Sequence, residues 1–312
     1  MSLMMSLLAL SIDAMLPALQ QIGSDLDVVN PNSRQLVISI IFLGLAFGQL
    51  FFGPLSDTIG RKPAIYAGYA LFIAGSLLSI VATSFSVMLI GRLLQGLGAS
   101  APRAVTLALV RDRFGGRAMA QIMSFIITFI VLVPMIAPSL GQAILLYYSW
   151  RAIFVILILL AILTLSWFAV RIPETLSAEN RAPFSLKRIV SATVVILKIR
   201  PALGYTVSAG LISGAFIGYL NSSQQILQEQ FALGDLFPIV FGVIALSIGV
   251  ATILNTRLVI RFGMRFLVNW SLWVILGLSA AASLVALIAA GQPPLWLFMT
   301  YIMLVFFSVG IL

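Results

Sequence analysis

The 312-residue sequence contains no cysteine and no histidine. Without cysteine, the chain has no disulfide framework, thiol nucleophile or cysteine-based metal site. Without histidine, proton transfer near neutral pH requires a carboxylate whose pKa is shifted by its surroundings. The phosphate-binding pattern G-x-x-x-x-G-K-[ST] is also absent, which argues against an ATP-driven pump. We therefore predict a protein without catalytic residues, metal or cofactor, and not an enzyme.

Charged residues are scarce as well, at 9% of the chain against 61% hydrophobic residues. Soluble domains carry about 25% charged residues, so this composition excludes an ordinary water-soluble fold. The mean hydropathy of +1.14 indicates many membrane spans rather than one anchor. We predict an all-α, multi-pass integral membrane protein that has the lipid bilayer as a partner.

The net charge of +9 does not indicate a nucleic-acid partner, because of where the basic residues lie. Arg34 and Arg151 fall on one side of the predicted membrane, and Arg92 and Arg103 fall within a span. The other basic residues lie in alternate loops on the opposite side, without a stripe or interleaved aromatic residues. This asymmetry follows the positive-inside rule and assigns those loops to the cytoplasm.

The sequence contains ten apolar runs, and each predicts one membrane span. Most of the runs are close in length to the ~20 residues that a helix needs to cross a bilayer. They cover residues 1–19, 35–52, 63–83, 87–110, 119–145, 152–170, 202–220, 236–254, 266–290 and 294–312. The longest polar stretch, 171–200, follows the sixth run. We predict a complete six-helix N-terminal half (1–171), a cytoplasmic linker (172–200) and a partial C-terminal half of about four helices (201–312).

A polar break, residues 53–62, separates the second and third runs and reads GPLSDTIGRK. Gly53 and Gly60 are expected to let the backbone turn tightly. Asp57, Arg61 and Lys62 would hold that turn at the polar surface. A solvated turn on the cytoplasmic side is the simpler interpretation, but it does not explain the ordered spacing of these residues.

This break resembles the signature loop of the major facilitator superfamily, G-x-L-[SA]-D-x-x-G-R-[RK]. The fixed positions are matched by Gly53, Leu55, Ser56, Asp57, Gly60, Arg61 and Lys62. The resemblance implies a twelve-helix bundle, of which about ten helices lie in this sequence and the last two do not. Asp112 is expected to pair with Arg61 and to join the loop to the end of helix four. In the family this cluster is a conformational latch onto the start of helix eleven, a helix that does not lie in this sequence. Residues 257–265, with Gly263, are interpreted as a degenerate second copy of the loop.

Asp13 is the acidic residue that the sequence places inside a span. A carboxylate in a membrane is costly and is by default a functional-site hypothesis. The alternative is an interfacial Asp that faces water near the outer end of the span. With Pro17, Asp13 resembles the D-x-x-x-P element on helix one of drug:proton antiporters, which implies a role in proton coupling.

Arg92 is the expected partner of Asp13, since a buried arginine requires a counter-ion or backbone carbonyls. With Gln95, Gly96 and Gly98 it resembles the R-x-x-Q-G-x-G element on helix four of these antiporters, where the arginine is tied to proton coupling. The two glycines would permit close helix contact. An arginine that only fastens helices one and four is an equally good interpretation. Arg103 is expected to extend to the cytoplasmic surface.

The fifth span contains Pro138 and Gly141, which partly match the antiporter helix-five element G-x-x-x-G-P-x-x-G-G. Prolines commonly kink membrane helices, so the proline alone indicates little. Some methionine and aromatic residues could line an adaptable pocket, although lipid-facing or core packing explains each of them equally well. These residues are Met123, Phe129, Tyr205 and Phe216.

Taken together, these elements resemble the bicyclomycin/chloramphenicol-resistance-type exporters of bacterial inner membranes. The resemblance implies a transporter that exchanges a small, mostly apolar drug or metabolite for protons by alternating access. The sequence does not give the oligomeric state, and we expect a monomer. A non-transporting fragment or membrane scaffold, and a proton-coupled uptake symporter, remain alternatives.

Overall fold

The computed structural model describes the backbone of residues 1–312 and every side chain except those of Ala120, Arg188 and Ala192. The helices are α1 (Ser2–Asp13), α2 (Leu19–Asp25), α3 (Leu36–Ile59), α4 (Arg61–Ile80), α5 (Phe85–Arg113), α6 (Gly116–Leu145), α7 (Arg151–Arg171), α8 (Leu186–Lys198), α9 (Arg200–Gln224), α10 (Phe237–Phe262), α11 (Met264–Ile288) and α12 (Leu295–Ile311). The described backbone contains no strand, and the predicted all-α class is confirmed.

Nine helical segments of the described chain are long and apolar enough to cross a membrane. They correspond to the first nine predicted spans. The tenth predicted span is α12, an apolar helix of 17 residues at the lower end of the ~17–25 residues that cross a bilayer. The chain is a multi-pass membrane protein.

The first span is longer than predicted and is broken at its centre. It covers Ser2–Asp25, so Asp25 lies within the helical segment rather than in an external loop. Because Pro17 has no N–H to donate to the carbonyl of Asp13, the α-helical hydrogen-bond ladder is interrupted there. α1 therefore ends at Asp13, and a 3₁₀ turn at Leu16–Ala18 leads into α2.

The signature loop is mostly helical, which corrects the predicted ten-residue turn. α3 continues to Ile59, and Gly53 lies inside this helix with open space around it, so Gly53 does not form the turn. Gly60 alone makes the turn, with φ 108° and ψ 160°, a region that is essentially restricted to glycine. Gly263 makes the equivalent turn between α10 and α11 with φ 78°, which agrees with a repeated design of the two halves.

α5 packs closely against α3 and α4 through small residues, as predicted for Gly96 and Gly98. A Cβ on Gly96 would overlap the carbonyl oxygen of Ile41 in α3, and one on Gly98 would overlap the backbone nitrogen of Phe72 in α4. Such close backbone approach is the usual way in which membrane helices gain packing energy without a hydrophobic driving force.

The predicted linker is not uniformly irregular, because it contains helix α8. Its apolar side chains follow a helical spacing, with Leu186, Val190 and Leu197 on one face and Lys187 and Lys198 together on a flanking face. A polar composition conceals such an amphipathic helix when the stretch is judged by mean hydropathy alone.

Candidate functional site

A cavity of about 410 Å³ lies between the helices of residues 1–171 and those of residues 201–312. Helices α1, α3, α5 and α6 form one side of it, and α9, α10 and α12 form the other. Most of the lining side chains are apolar, including Phe42, Phe216 and Phe306. Two are charged, Asp13 and Arg103.

Asp13 is the last residue of α1 and is only 3% exposed. Met5, Leu8 and Ile12 line the cavity with it, at the three-and-four spacing of one helix face. The described residues give its carboxylate neither a hydrogen bond nor an ion pair. A carboxylate with no fixed partner, facing a cavity in the membrane, is available to a proton or to a cationic ligand.

Arg103 also lines this cavity and is solvent-exposed, a position in the fold that the sequence did not predict. It lies just past the middle of α5 (Phe85–Arg113) and points into the same space as Leu107. Within the described chain its guanidinium forms no hydrogen bond or ion pair, with Asp13 or with any other group. The sequence did not reveal this, because helical periodicity alone does not say which face of α5 borders the cavity.

Arg92 is fully buried and ties three helices together. Its Nε donates to the carbonyl of Val37 (2.9 Å) and its Nη2 to the carbonyl of Ser11 (3.0 Å). Its Nη1 donates to Oε1 of Gln95, whose Nε2 donates to Ser76 (2.9 Å) in α4. Carbonyl oxygens and an amide thus solvate the charge, as a buried arginine requires.

The expected ion pair between Asp13 and Arg92 is absent from the described structure, and this prediction was wrong for the conformation observed. Arg92 instead binds the backbone of Ser11, two residues before Asp13 in the last turn of α1. The observed geometry favours the alternative in which Arg92 fastens helices, and it connects Arg92 to Asp13 only through the backbone of α1.

The fifth span also contacts the broken end of α1. A Cβ on Gly141 would overlap the carbonyl oxygen of Ala14, directly after Asp13. α6 runs without interruption through Pro134 and Pro138, and Pro134 lines the cavity. The helix-five element therefore packs against the segment that carries Asp13.

The four suggested pocket residues have different positions. Phe216 lines the central cavity, and its ring lies 5.3 Å from that of Phe306. Phe129 lines a separate crevice bordered by α1, α6 and α7. Tyr205 is 67% exposed and, like Met123, is not part of the central cavity's lining.

A cluster of charged groups surrounds the turn at Gly60. Nε of Arg61 donates to Oδ2 of Asp112 (3.0 Å), which confirms the predicted contact. Nη1 of Arg61 donates to Oγ of Ser56 (2.7 Å) and to Oδ1 of Asp57 (2.5 Å). These bonds join the ends of α3, α4 and α5.

Glu174 is a member of this cluster that the sequence reasoning missed. Its carboxylate accepts the backbone N–H groups of Arg61 and Lys62, both at 3.0 Å, at the first turn of α4. Burial opposes ionisation, but the N–H donors of Leu176, Lys62, Arg61 and Thr175 outweigh it and hold the pKa of Glu174 below its usual value. An acid that follows span six on the side where α4 begins could have been recognised as a helix cap.

We expect Glu174→Gln to destabilise the protein at neutral pH by about 0.3–1 kcal/mol, because the amide can still accept the N–H groups but no longer places a negative charge at the N-terminus of α4. Because the folded-state pKa is lowered, the stabilisation is complete above the ordinary value of 4.5 and is lost as the pH falls through the lowered pKa. Thermal midpoints in detergent should therefore differ at pH 7 and converge in acid. Glu179→Gln, an exposed linker position, is the control, and a difference independent of pH would contradict the account.

Polar contacts join the two groups of helices at the end of the cavity that the positive-inside rule assigns to the outside. Arg34 pairs with Glu229 at 3.4 Å, and Gln35 donates to Oε1 of Gln225 at 2.5 Å. Gln225 and Glu229 lie in a π-helical turn, Gln225–Gln230, at the end of α9. Gln142 donates to Asp235 (3.2 Å). In the described residues no hydrogen bond or ion pair joins the two groups at the cytoplasmic end.

Comparisons with known proteins agree with this architecture. A sequence profile described as Major Facilitator Superfamily matches residues 1–312. The chain is 33% identical over 257 residues to the uncharacterized MFS-type transporter YdgK of Bacillus subtilis (strain 168), over 81% of this chain and 63% of that protein. It is 32% identical over 259 residues to the bicyclomycin resistance protein homolog of Haemophilus influenzae, again over 81% of this chain and 63% of that protein.

Among solved structures, the partially occluded inward-open conformation of the xylose transporter XylE from E. coli matches with a TM-score of 0.72. It is 13% identical and covers 99% of this chain and 83% of that chain, a likeness that concerns the fold alone. The chain spans 63% of the length of the two relatives above. The profile and these relatives indicate a family of transporters and not of enzymes. The profile match over the whole sequence and the two-part helical fold show that the chain belongs to the Major Facilitator Superfamily.

Proposed function

We propose that this chain is part of a bacterial inner-membrane exporter that exchanges small, mostly apolar drugs or metabolites for protons by alternating access. The observation that carries the proposal is the cavity between the two groups of helices, with the unpaired carboxylate of Asp13 in its wall. The relative named as a bicyclomycin resistance protein homolog supports drugs as substrates. Residues 1–171 and 201–312 would move as two halves joined by the linker 172–200.

The contacts between the halves indicate which side is closed. Arg34–Glu229 and Gln35–Gln225 bridge the halves at the external end, whereas the described polar contacts at the cytoplasmic end join the first half to itself and to the linker. We interpret this conformation as inward-facing. Opening to the outside would require the external contacts to break and new contacts to form on the cytoplasmic side.

Asp13 would couple the movement of protons to the movement of substrate, because it lies at the break of the first span. A proton and a cationic group of the substrate would compete for its carboxylate, which yields exchange rather than co-transport. Arg92 would act by holding the last turn of α1 through Ser11. The cluster of Asp57, Arg61 and Asp112 would act as a latch that keeps the cytoplasmic ends of α3, α4 and α5 together, with Lys62 beside it.

The proposal is tested by transport into everted membrane vesicles with an acidic interior. Four probes share one fluorophore and differ in charge: Nε-dansyl-lysine (zwitterion), dansyl-ethylenediamine (cation), dansylglycine (anion) and dansylglycine amide (neutral). We expect at least one to accumulate when the proton gradient is present and to leave when it is dissipated. Gradient-driven loss of probe would identify a symporter, and no movement of any probe would contradict transport by this chain.

The external closure makes a separate prediction. The chain has no cysteine, so Val131→Cys places a single thiol in the cavity wall. A membrane-impermeant maleimide should label it in everted vesicles and not in right-side-out vesicles. Adding Glu229→Gln removes the charge that faces Arg34 and should raise external labelling several-fold.

Val155→Cys is the control. Val155 is 44% exposed on the outer surface of α7, which faces lipid. A thiol in lipid does not ionise, so this cysteine should not react with the maleimide from either side. Equal labelling of Val131→Cys from both sides before Glu229 is changed would contradict the inward-facing interpretation.

A further inference from the structure

The charged groups of the central cavity are arranged as two separate sites. Asp13 lies at the middle of the span Ser2–Asp25, and Arg103 lies just past the middle of the span Phe85–Arg113. Both border one cavity of about 410 Å³, yet they form no ion pair with each other. Neither carboxylate nor guanidinium has a hydrogen-bond partner among the described side chains and backbone groups.

Burying a charge in a membrane protein without a partner is costly, and the cost is reduced when a ligand or water supplies the opposite charge. Arg92 shows how this chain solvates an arginine that has a structural role, with two backbone carbonyls and the Gln95 amide. Arg103 has none of these contacts, although it lies on the same helix. Arg103 is solvent-exposed where it borders the cavity, so its guanidinium is open to a ligand.

We infer that the cavity binds zwitterionic ligands, which carry an ammonium group and a carboxylate on an apolar body. The ammonium group binds at Asp13, the carboxylate binds at Arg103, and the apolar body contacts Phe42, Phe216 and Phe306. This inference rests on the proposed substrate role of the cavity and names its substrate class.

The zwitterion also fits the proposed exchange for protons. The ammonium group of the ligand and the proton compete for Asp13, so that binding of one releases the other. A ligand with a carboxylate alone would bind better when Asp13 is protonated, which is the coupling expected of a symporter. Arg103 stays charged throughout, because a guanidinium does not lose its proton in proteins.

Binding of the four dansyl probes to the purified chain in detergent, without any gradient, tests the inference. Energy transfer from the protein's tryptophans to the dansyl group gives the affinity. A hydrogen bond to a charged group changes affinity by about 10-fold or more. We therefore expect Nε-dansyl-lysine to bind about 10-fold more tightly than dansyl-ethylenediamine and more tightly still than the neutral amide.

Arg103→Gln should reduce the affinity for Nε-dansyl-lysine to that for dansyl-ethylenediamine and leave the neutral amide unchanged. Arg103→Lys keeps the positive charge and should retain most of the preference for Nε-dansyl-lysine. It also provides a second test if Arg103→Gln does not fold. Arg117→Gln, at an exposed cytoplasmic position, is the matched control. Equal binding of all four probes, or a preference that survives Arg103→Gln, would overturn the inference.

The binding experiment separates this inference from the proposed function. If the vesicles accumulate a probe but binding shows no dependence on Arg103, the inference fails and the exporter stands. If no probe is transported but the preference for the zwitterionic probe in detergent depends on Arg103, the inference about the ligand class is supported and the proposal of transport by this chain is contradicted.

Discussion

Asp13→Asn is expected to reduce proton-driven accumulation of every transported probe to the level of vesicles without the protein. The amide is nearly the same size as the carboxylate but can neither ionise nor take up a proton near neutral pH. Because Asp13 has no hydrogen-bond partner in the described structure and borders the cavity, the replacement breaks no fixed contact. Protein level and thermal midpoint should therefore remain close to those of the parent.

Asp27→Asn is the matched control, since Asp27 is an exposed acid on the external side and should tolerate the same change. The effect on transport is measured as probe accumulation in vesicles that carry a proton gradient. Dissipating the proton gradient then shows how much of the accumulation is coupled to protons. If Asp13→Asn accumulated the probes as well as the parent, Asp13 would have no role in coupling. A loss of folding in Asp13→Asn would instead indicate a structural carboxylate.

Gly96→Val should cause a large loss of stability at the contact between α3 and α5. The added side chain would overlap the backbone of Ile41, and a backbone cannot rotate away as a flexible side chain can. Overpacking of this kind costs about 1–3 kcal/mol and sometimes more. Size-exclusion profiles and thermal midpoints in detergent should show a strongly destabilised or aggregated protein.

Gly210→Ala is the control, and we expect it to increase the stability of the protein slightly instead of decreasing it. Gly210 lies within α9 with no heavy atom within 4 Å of its added Cβ, so nothing opposes the substitution. Alanine is favoured over glycine in a helix by about 1 kcal/mol, and the thermal midpoint should rise slightly. If Gly96→Val and Gly210→Ala had similar effects, the close contact between α3 and α5 would not determine the stability of the bundle.

The sequence predicts the fold well because hydropathy, loop charge and the signature pattern are local properties. The ten apolar runs all correspond to helices, and the Arg61–Asp112 contact was predicted. The helix ends were less accurate. A polar composition does not stop a helix, so α3 continues through Gly53 and Pro54 until Gly60 adopts a backbone conformation that other residues avoid.

The errors at the site have a different cause, since they concern which helix faces meet. The sequence identifies Asp13, Arg92 and Arg103 as unusual charges but contains no information on the rotation of each helix. The structure turns Arg92 towards the backbone of Ser11 and Val37, and turns Arg103 into the cavity. The external contact between Arg34 and Glu229 was missed for the same reason, because its partners are 195 residues apart.

Substrate-driven proton movement in proteoliposomes tests the exchange mechanism most directly. The purified chain is reconstituted with a trapped pH-sensitive dye, and an inward gradient of the best accumulated dansyl probe is imposed. We expect the interior to become more alkaline as substrate enters and protons leave, and we expect no change with Asp13→Asn. An interior that acidifies would mean co-transport, and an interior that does not change with the parent chain would contradict the exchange of substrate for protons.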